Sequence, residues 1–250
     1  MASVRQCESL EFYNDRSVSV FDNRYRTFDY WWDSTGEQVE ESNFRRGGVS
    51  KVVRAEIKLK SGSRTVYIKR QVNQLRRSFF SWFLPRPTFW IEQQVLRKIM
   101  AMGFQGTPEI VCYGERTILG KKQALLVVLA LEGYSCLEEL LQLPMSAEKR
   151  IKMMRLIGQR LFSMHSLKFE HGALYTKHIF LSENLKECKL IDFERGHFRL
   201  KPLTAMKNDL ERLFRRSPEL SKEDRLLILE PYGRYTELMK LERKFSQYEK

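Results

Sequence analysis

Hydrophobic and polar positions alternate through much of the first half of the chain. In SKVVRAEIKLK (50–60) apolar and β-branched residues recur at every second place, and after the turn SGS (61–63) the alternation resumes in RTVYIKRQ (64–71). Period two on both sides of a Gly/Ser turn predicts an antiparallel hairpin. At Thr88 the period lengthens. Phe89, Glu92, Val95, Leu96 and Ile99 share one face of a helix that Thr88 can cap and Gly103 can end. PEIVCYGER and KKQALLVVLALE then predict two further strands, the second apolar enough to be buried.

The second half is patterned mostly for helix. Ser135-x-x-Glu138 reads as a capping box before a short helix carrying Leu137, Leu140 and Leu141. Ser146 opens a longer helix that runs to about Ser166. Two short apolar runs, HIFL (178–181) and KLIDF (189–193), follow with a polar turn between them. Helices from about Leu203 to Arg215, Lys222 to Leu229 and Tyr232 to Tyr248 complete the chain. A small sheet with one inserted helix, a connector and a helical body with a short hairpin make an α+β fold in two lobes. The boundary falls near Gly133, giving a sheet lobe over residues 1–133 and a helical lobe over 134–250.

Composition narrows the class. With 250 residues, 42% hydrophobic and 12% aromatic, the chain is globular and not disordered. The strongest apolar run, ALLVVLAL (124–131), is far shorter than the roughly 20 residues a membrane span needs. The first residues lack the apolar core of a signal peptide, so export is not expected. Four scattered cysteines, none in a C-x-x-C pair, fit reduced thiols in a cytosolic protein. Forty-four basic against 31 acidic residues leave a net charge of +13. That surplus favours nucleic acid, acidic lipid or a phosphorylated ligand without choosing among them.

Candidate chemistry begins with Lys69. In an alternating strand Val66 and Ile68 face one way, Tyr67 and Lys69 the other. Glu92 stands among apolar positions of the next helix, where a carboxylate is costly unless paired, and Lys69 is the natural partner. A solvated strand lysine is the plainer alternative. Asp192, in LIDFERG, follows a buried run; its charge can be met by a divalent cation or spent capping local backbone. Asp209, in NDLERLF, can hold loop backbone from a neighbouring helix or lie on a helix surface. Adjacent Gly47 and Gly48 in FRRGGVSKVV make a turn at the head of a strand, flanked by Arg45 and Arg46, that could cover phosphates despite lacking G-x-G-x-x-G spacing. Phosphoryl transfer needs a cation on the phosphates, a carboxylate holding it, a metal-binding acid and a group orienting the acceptor hydroxyl. Lys69, Glu92 and Asp192 supply the first three in the expected chain order.

The fourth role falls to FEHGALYTKHIF (169–180), which is spaced like the protein-kinase loop H-R-D-x-x-x-x-N counted from His171. Ala173 occupies the place of the Asp and His178 that of the Asn. An alanine accepts no proton, and general-base help is typically worth about 10² to 10⁴ in rate. Glu170 and His171 are the loop residues that could stand in. An imidazole in place of the amide suits Mn²⁺ or Zn²⁺ better than Mg²⁺.

Taken together, the GG turn, YIKRQ, IEQQVL, TPEIVCYG, EHGALYTKHIFL and LIDFERG resemble the lipopolysaccharide-core (Kdo/heptose) kinases, and within them the InaA-type branch, from about Arg45 to Arg216. The resemblance implies a protein-kinase-like fold. It also implies transfer of a phosphoryl group from ATP, with Mg²⁺ or Mn²⁺, to a sugar hydroxyl of lipopolysaccharide core or a related anionic glycolipid, at the cytoplasmic face of a Gram-negative inner membrane. By the same resemblance Lys69 and Glu92 form an ion pair. Gly47, Gly48, Lys69, Glu92 and Glu132 line the nucleotide, His171 belongs to the catalytic loop, and Asp192 and His178 bind metal. DFE stands where DFG is usual, and Tyr67 where a small residue packs on adenine.

Between Lys69 and Glu92 lies QLRRSFFSWFLPRPTFW, in which Phe79, Phe80, Trp82, Phe83, Phe89 and Trp90 are mixed with Arg76, Arg77 and Arg86. Phe89 and Trp90 are expected to pack inside. Phe79 to Leu84, in a loop marked by Pro85 and Pro87, suit a membrane interface or glycolipid border. Two competing functions remain. One is a pseudokinase, a nucleotide-sensing or scaffolding module whose Ala173 marks lost catalysis. The other is a basic nucleic-acid binder, which would use the aromatics for stacking but leaves Glu92 and Asp192 unexplained; nucleic acid is therefore not the expected partner.

Overall fold

In the computed structural model, which describes residues 5–13, 23–39, 41–45, 47–59, 62–77, 82, 84–233, 235 and 238, the first half is an antiparallel sheet. Strand β1 (Arg5–Phe12), the short helix α1 (Phe28–Asp33), β2 (Glu37–Gln38) and β3 (Asn43–Arg45) precede the hairpin of β4 (Gly48–Leu59) and β5 (Gly62–Val72). After the minimal pair β6 (Leu75–Arg76) and β7 (Arg86–Pro87) come helix α2 (Thr88–Ala101), β8 (Ile110–Ile118) and β9 (Lys121–Leu129). The strands run in the order β1-β8-β9-β5-β4-β2, with β3 also on β4.

Alternation on β5 decides what each face carries. Val66 and Ile68 are fully buried and meet Ile57, Val111, Leu125 and Val127 on one side of the sheet. Tyr25, Phe28 and Trp31, from the segment around α1, close that core. Burying side chains of this size is worth about 1.5–3 kcal/mol each. Neither β1 nor α1 follows from the patterning above. Thr27 caps α1 by accepting from the Tyr30 amide, and the Trp31 indole donates to Tyr25 O at 2.7 Å. Arg116 fixes α1 from β8 through an ion pair with Asp29 and by lying 4.3 Å over the Phe28 ring.

Helix α2 starts where expected, but Thr88 is not its acceptor cap. The Thr88 hydroxyl donates to Gln71 Oε1 (2.7 Å), and the same oxygen accepts from the Phe89 amide (3.0 Å). A side chain on β5 therefore satisfies the first turn from outside. The helix ends at Gly103, whose φ of +90° suits glycine.

The second half is chiefly helical. Strand β10 (Tyr134–Cys136) leads into α3 (Leu137–Leu141) and the long α4 (Ala147–Ser166). Then follow β11 (Phe169–Glu170), β12 (Ile179–Ser182), β13 (Cys188–Leu190) and β14 (His197–Phe198), and helices α5 (Pro202–Arg216) and α6 (Lys222–Leu229). The apolar runs HIFL and KLIDF form the hairpin β12–β13, with β10 on its other edge, while β11 pairs with β14. Ser146 caps α4 as expected, accepting from the Lys149 amide. The Ser135 box does not form. Ser135 is held in the β10 ladder opposite Leu181, and Cys136 takes the cap position without a side-chain bond.

By contacts the chain divides into two compact units, Met1–Gln94 with Pro108–Glu132, and Val95–Thr107 with Gly133–Lys250. The fold is thus mixed α+β, with an antiparallel sheet in the N-terminal part and helices later. No helix among the described residues is long and apolar enough to cross a membrane. Arg46, Phe79, Phe80 and Phe83 lie outside the described residues, as does the helix expected to Tyr248 apart from Tyr232, Gly233, Tyr235 and Leu238.

Candidate functional site

On the face of β5 away from the Trp31 core, Lys69 reaches α2. Its Nζ lies 2.6 Å from Glu92 Oε1, with the side chains 18% and 4% exposed. So little water around the pair leaves its attraction weakly screened. The Phe89 ring lies 5.9 Å from Nζ and is itself buried. Tyr67 shares this face, half-buried between Arg54 of β4 and Val128 of β9.

The GG turn joins β3 to β4. Gly47 is left-handed at φ +71°, and a Cβ on Gly48 would fall 2.3 Å from Val72 O, so only glycine allows β4 to lie that close to the end of β5. Glu132 accepts from the Thr65 amide (3.0 Å) and lies 3.5 Å from Arg64. The Thr65 amide bond, and behind it the arginine charge, hold its carboxyl below the usual range. Its carboxylate is thereby tied to the head of β5. Arg86 pairs with Glu115 (2.9 Å) and stacks 4.7 Å over Trp90, while Trp82 and Leu84 are 85% and 65% exposed.

The loop between β11 and β12 is built around a buried carboxylate on α5. Asp209 accepts from the amides of His171 (2.6 Å) and Gly172 (3.0 Å) and from Arg212 (2.9 Å), with His165 Nε2 at 3.3 Å. Burial works to raise this carboxyl, but hydrogen bonding and charge from His165, then His171, outweigh it and hold it low. Asp209 is therefore the group that holds the loop backbone. Gly172 turns the chain at φ +74° with its Cα against Arg195 O.

Both ring nitrogens of His171 are engaged with backbone. Nε2 donates to Ile191 O (3.0 Å) and Nδ1 accepts from the Ala173 amide (3.3 Å). This fixes the neutral tautomer, and burial pulls the pKa down to about 4. Glu170, also buried, accepts from Arg199 (2.6 Å) and Asn208 (2.9 Å), both at Oε2. His171 thus has no free ring nitrogen, whereas Glu170 is held through Oε2 and leaves Oε1 3.9 Å from Arg212. The side chain of Ala173 is only a buried methyl.

His178 differs. Its Nδ1 donates to Ala173 O (2.7 Å), because a carbonyl can only accept, and its Nε2 faces Asp192 Oδ2 at 3.4 Å. With Nδ1 carrying the proton, Nε2 either bears a second proton paired to Asp192 or offers a lone pair beside a carboxylate. The second arrangement is that of two metal ligands, with the imidazole oriented by a backbone carbonyl. Asp192 is 35% exposed and sits at φ +65°, a left-handed conformation that aspartate adopts more readily than most side chains. No group of three or more His, Cys, Asp and Glu among the described residues could hold a metal. A cation here would take two protein ligands and fill its shell from water and phosphate, as Mg²⁺ and Mn²⁺ do.

The structure thus brings Lys69 to Glu92, His178 to Asp192, and Asp209 to the His171 loop. Sequence patterning missed His165, whose Nδ1 meets the Tyr232 hydroxyl at 2.8 Å, and the partners of Glu170. His165 sits on the apolar face of α4 beside Met164 and Leu161, where a polar residue needing a partner is itself a signal.

The model of the lipopolysaccharide kinase (Kdo/WaaP) family matches residues 29–232, and the chain belongs to that family. Among curated proteins it is similar to Protein InaA of Escherichia coli (strain K12), at 31% identity over 207 residues, 80% of this chain and 93% of that protein.

Proposed function

We propose that this chain is an ATP-dependent phosphotransferase of two-lobed, protein-kinase-like organisation. Its acceptor is a sugar hydroxyl of lipopolysaccharide core or a related anionic glycolipid. The observation that carries the reading is the Lys69–Glu92 pair at 2.6 Å, in a chain of this family. Lys69, aimed by Glu92, engages the nucleotide phosphates. The GG turn at Gly47 and Gly48 approaches them with backbone, and Glu132 steadies the strand that carries Lys69. Asp192 and His178 hold a divalent cation, Mg²⁺ or Mn²⁺; when bound, that ion neutralises charge on the transferring phosphoryl group. Asp209 and His171 keep the loop in the shape that presents His178.

The protein works in the cytoplasm, at the inner-membrane surface. Exposed Trp82 and Leu84 beside Arg86, and the +13 charge, support contact with an anionic glycolipid layer. The test is transfer of label from γ-³²P ATP to purified lipopolysaccharide core. Label in the sugar that disappears in Asp192→Ala supports the proposal, and label absent at all metal and protein concentrations contradicts the transfer step. One observation favours a second reading, nucleotide binding without transfer: Ala173 provides no base, and both ring nitrogens of His171 are held by backbone. Nucleotide-dependent stabilisation with no turnover would establish it.

A further inference from the structure

Arg70 follows Lys69 on β5 and so turns to the opposite face of the sheet. It is 4% exposed and stands directly across the ladder from Lys51 of β4. Like charges facing one another on a sheet repel, and a buried cation is costly without a counter-charge. The counter-charge supplied is partial. Arg70 Nε donates to Trp31 O (3.0 Å) and Nη2 to Ser34 O (2.5 Å), two carbonyls at the C-terminal end of α1, which leaves Nη1 over. Among the described residues no carboxylate lies within ion-pair distance of either Arg70 or Lys51. Burial pulls the Arg70 guanidinium below its ordinary value, with Asp33 opposing from farther away.

Both cations line a recess of about 420 Å³ with Trp32, Asp33, Thr35 and Gln38 on its walls. A hydroxyl and an amide there add donors, and Trp32 adds a ring wall. Two cations against one carboxylate leave a surplus of one positive charge, which suits a single phosphate group more than a polyphosphate.

We propose that this recess is a second anion site, separate from Lys69, which takes the phosphate group of a phosphomonoester with Arg70 and Lys51 as its cations. The permanent charge of arginine and the donors of the remaining Nη1 fit a phosphate oxygen. Lys51 is exposed on the rim and can close on the ligand without disturbing the core.

The experiment titrates inorganic phosphate at constant ionic strength into the full chain and into Lys69→Ala, Lys51→Glu and Arg70→Gln, reading heat by calorimetry and ³¹P line width. A parallel arm measures co-sedimentation with phosphatidylcholine vesicles containing phosphatidic acid. Saturable phosphate binding that survives Lys69→Ala and weakens at least tenfold in Lys51→Glu supports the site and a soluble ligand. Vesicle binding with the same Lys51 dependence, but no response to free phosphate, supports the site and assigns it to a lipid phosphomonoester. Arg70→Gln also removes two bonds to the α1 end, so the exposed Lys51 variant decides. Lys51→Glu binding phosphate and vesicles as the unaltered chain does, or neither probe binding at all, overturns the proposal.

Discussion

With Nε2–H given to Ile191 O and Nδ1 taken by the Ala173 amide, the imidazole of His171 cannot gain a proton without losing a backbone bond. Its pKa lies near 4 in the fold against an ordinary 6.5, so between those values the unfolded chain binds more protons. The stability it contributes is complete above about pH 6.5 and is lost as pH falls toward 4, a span on the order of 3 kcal/mol. Urea unfolding between pH 7.5 and 4 is expected to show that slope, and His171→Gln to flatten it. Parallel slopes for the two proteins would remove His171 as the cause. At the next position a Cβ on Gly172 would fall 2.6 Å from Arg195 O in a left-handed conformation. Gly172→Ala is expected to lower stability by about 1–3 kcal/mol through strain and overpacking, measured by the same unfolding.

The loop keeps its shape because α5 presents one carboxylate to two of its amides. Asp209→Ala leaves the His171 and Gly172 amides without an acceptor and is expected to cost about 3 kcal/mol, each buried donor adding about 1–3. Asp209→Asn, which keeps one acceptor oxygen, should cost less in denaturant titration; equal losses would show that the carboxylate does not act through those amides. Asp209 was legible as a candidate loop anchor because it stands acidic in an amphipathic run, whereas its partner His165 was not, since only its contacts distinguish it from other core residues. The same contrast holds for caps. Ser146 acts locally and was readable, but Gln71 replaces Thr88 through a tertiary contact, and β10 pairing removes Ser135 from its box. Helix α1 escaped notice for a related reason: six residues carry too little periodicity, and Arg116 and Arg70 hold it from distant strands.

For the molecule as a whole, the proposed function rests on the Lys69–Glu92 and His178–Asp192 pairs in a chain with Ala173 at the place the kinase-like loop spacing gives to an Asp. If the remaining groups still bind the nucleotide and orient it, restoring a carboxylate should recover rate. Ala173→Asp is expected to raise phosphoryl transfer by about 10² or more, read as initial rate on a lipopolysaccharide acceptor, and an unchanged rate would place the limiting step elsewhere. The central claim is that Lys69 and Asp192 bind ATP with a divalent cation. Thermal unfolding with ATP and Mg²⁺ or Mn²⁺ tests it most directly, since a ligand at about 100 times its Kd stabilises the fold by about 2.7 kcal/mol. The account predicts a metal-dependent rise in Tm that Lys69→Ala and Asp192→Ala both abolish; no rise at millimolar ATP and metal, or a rise untouched by both substitutions, would contradict it.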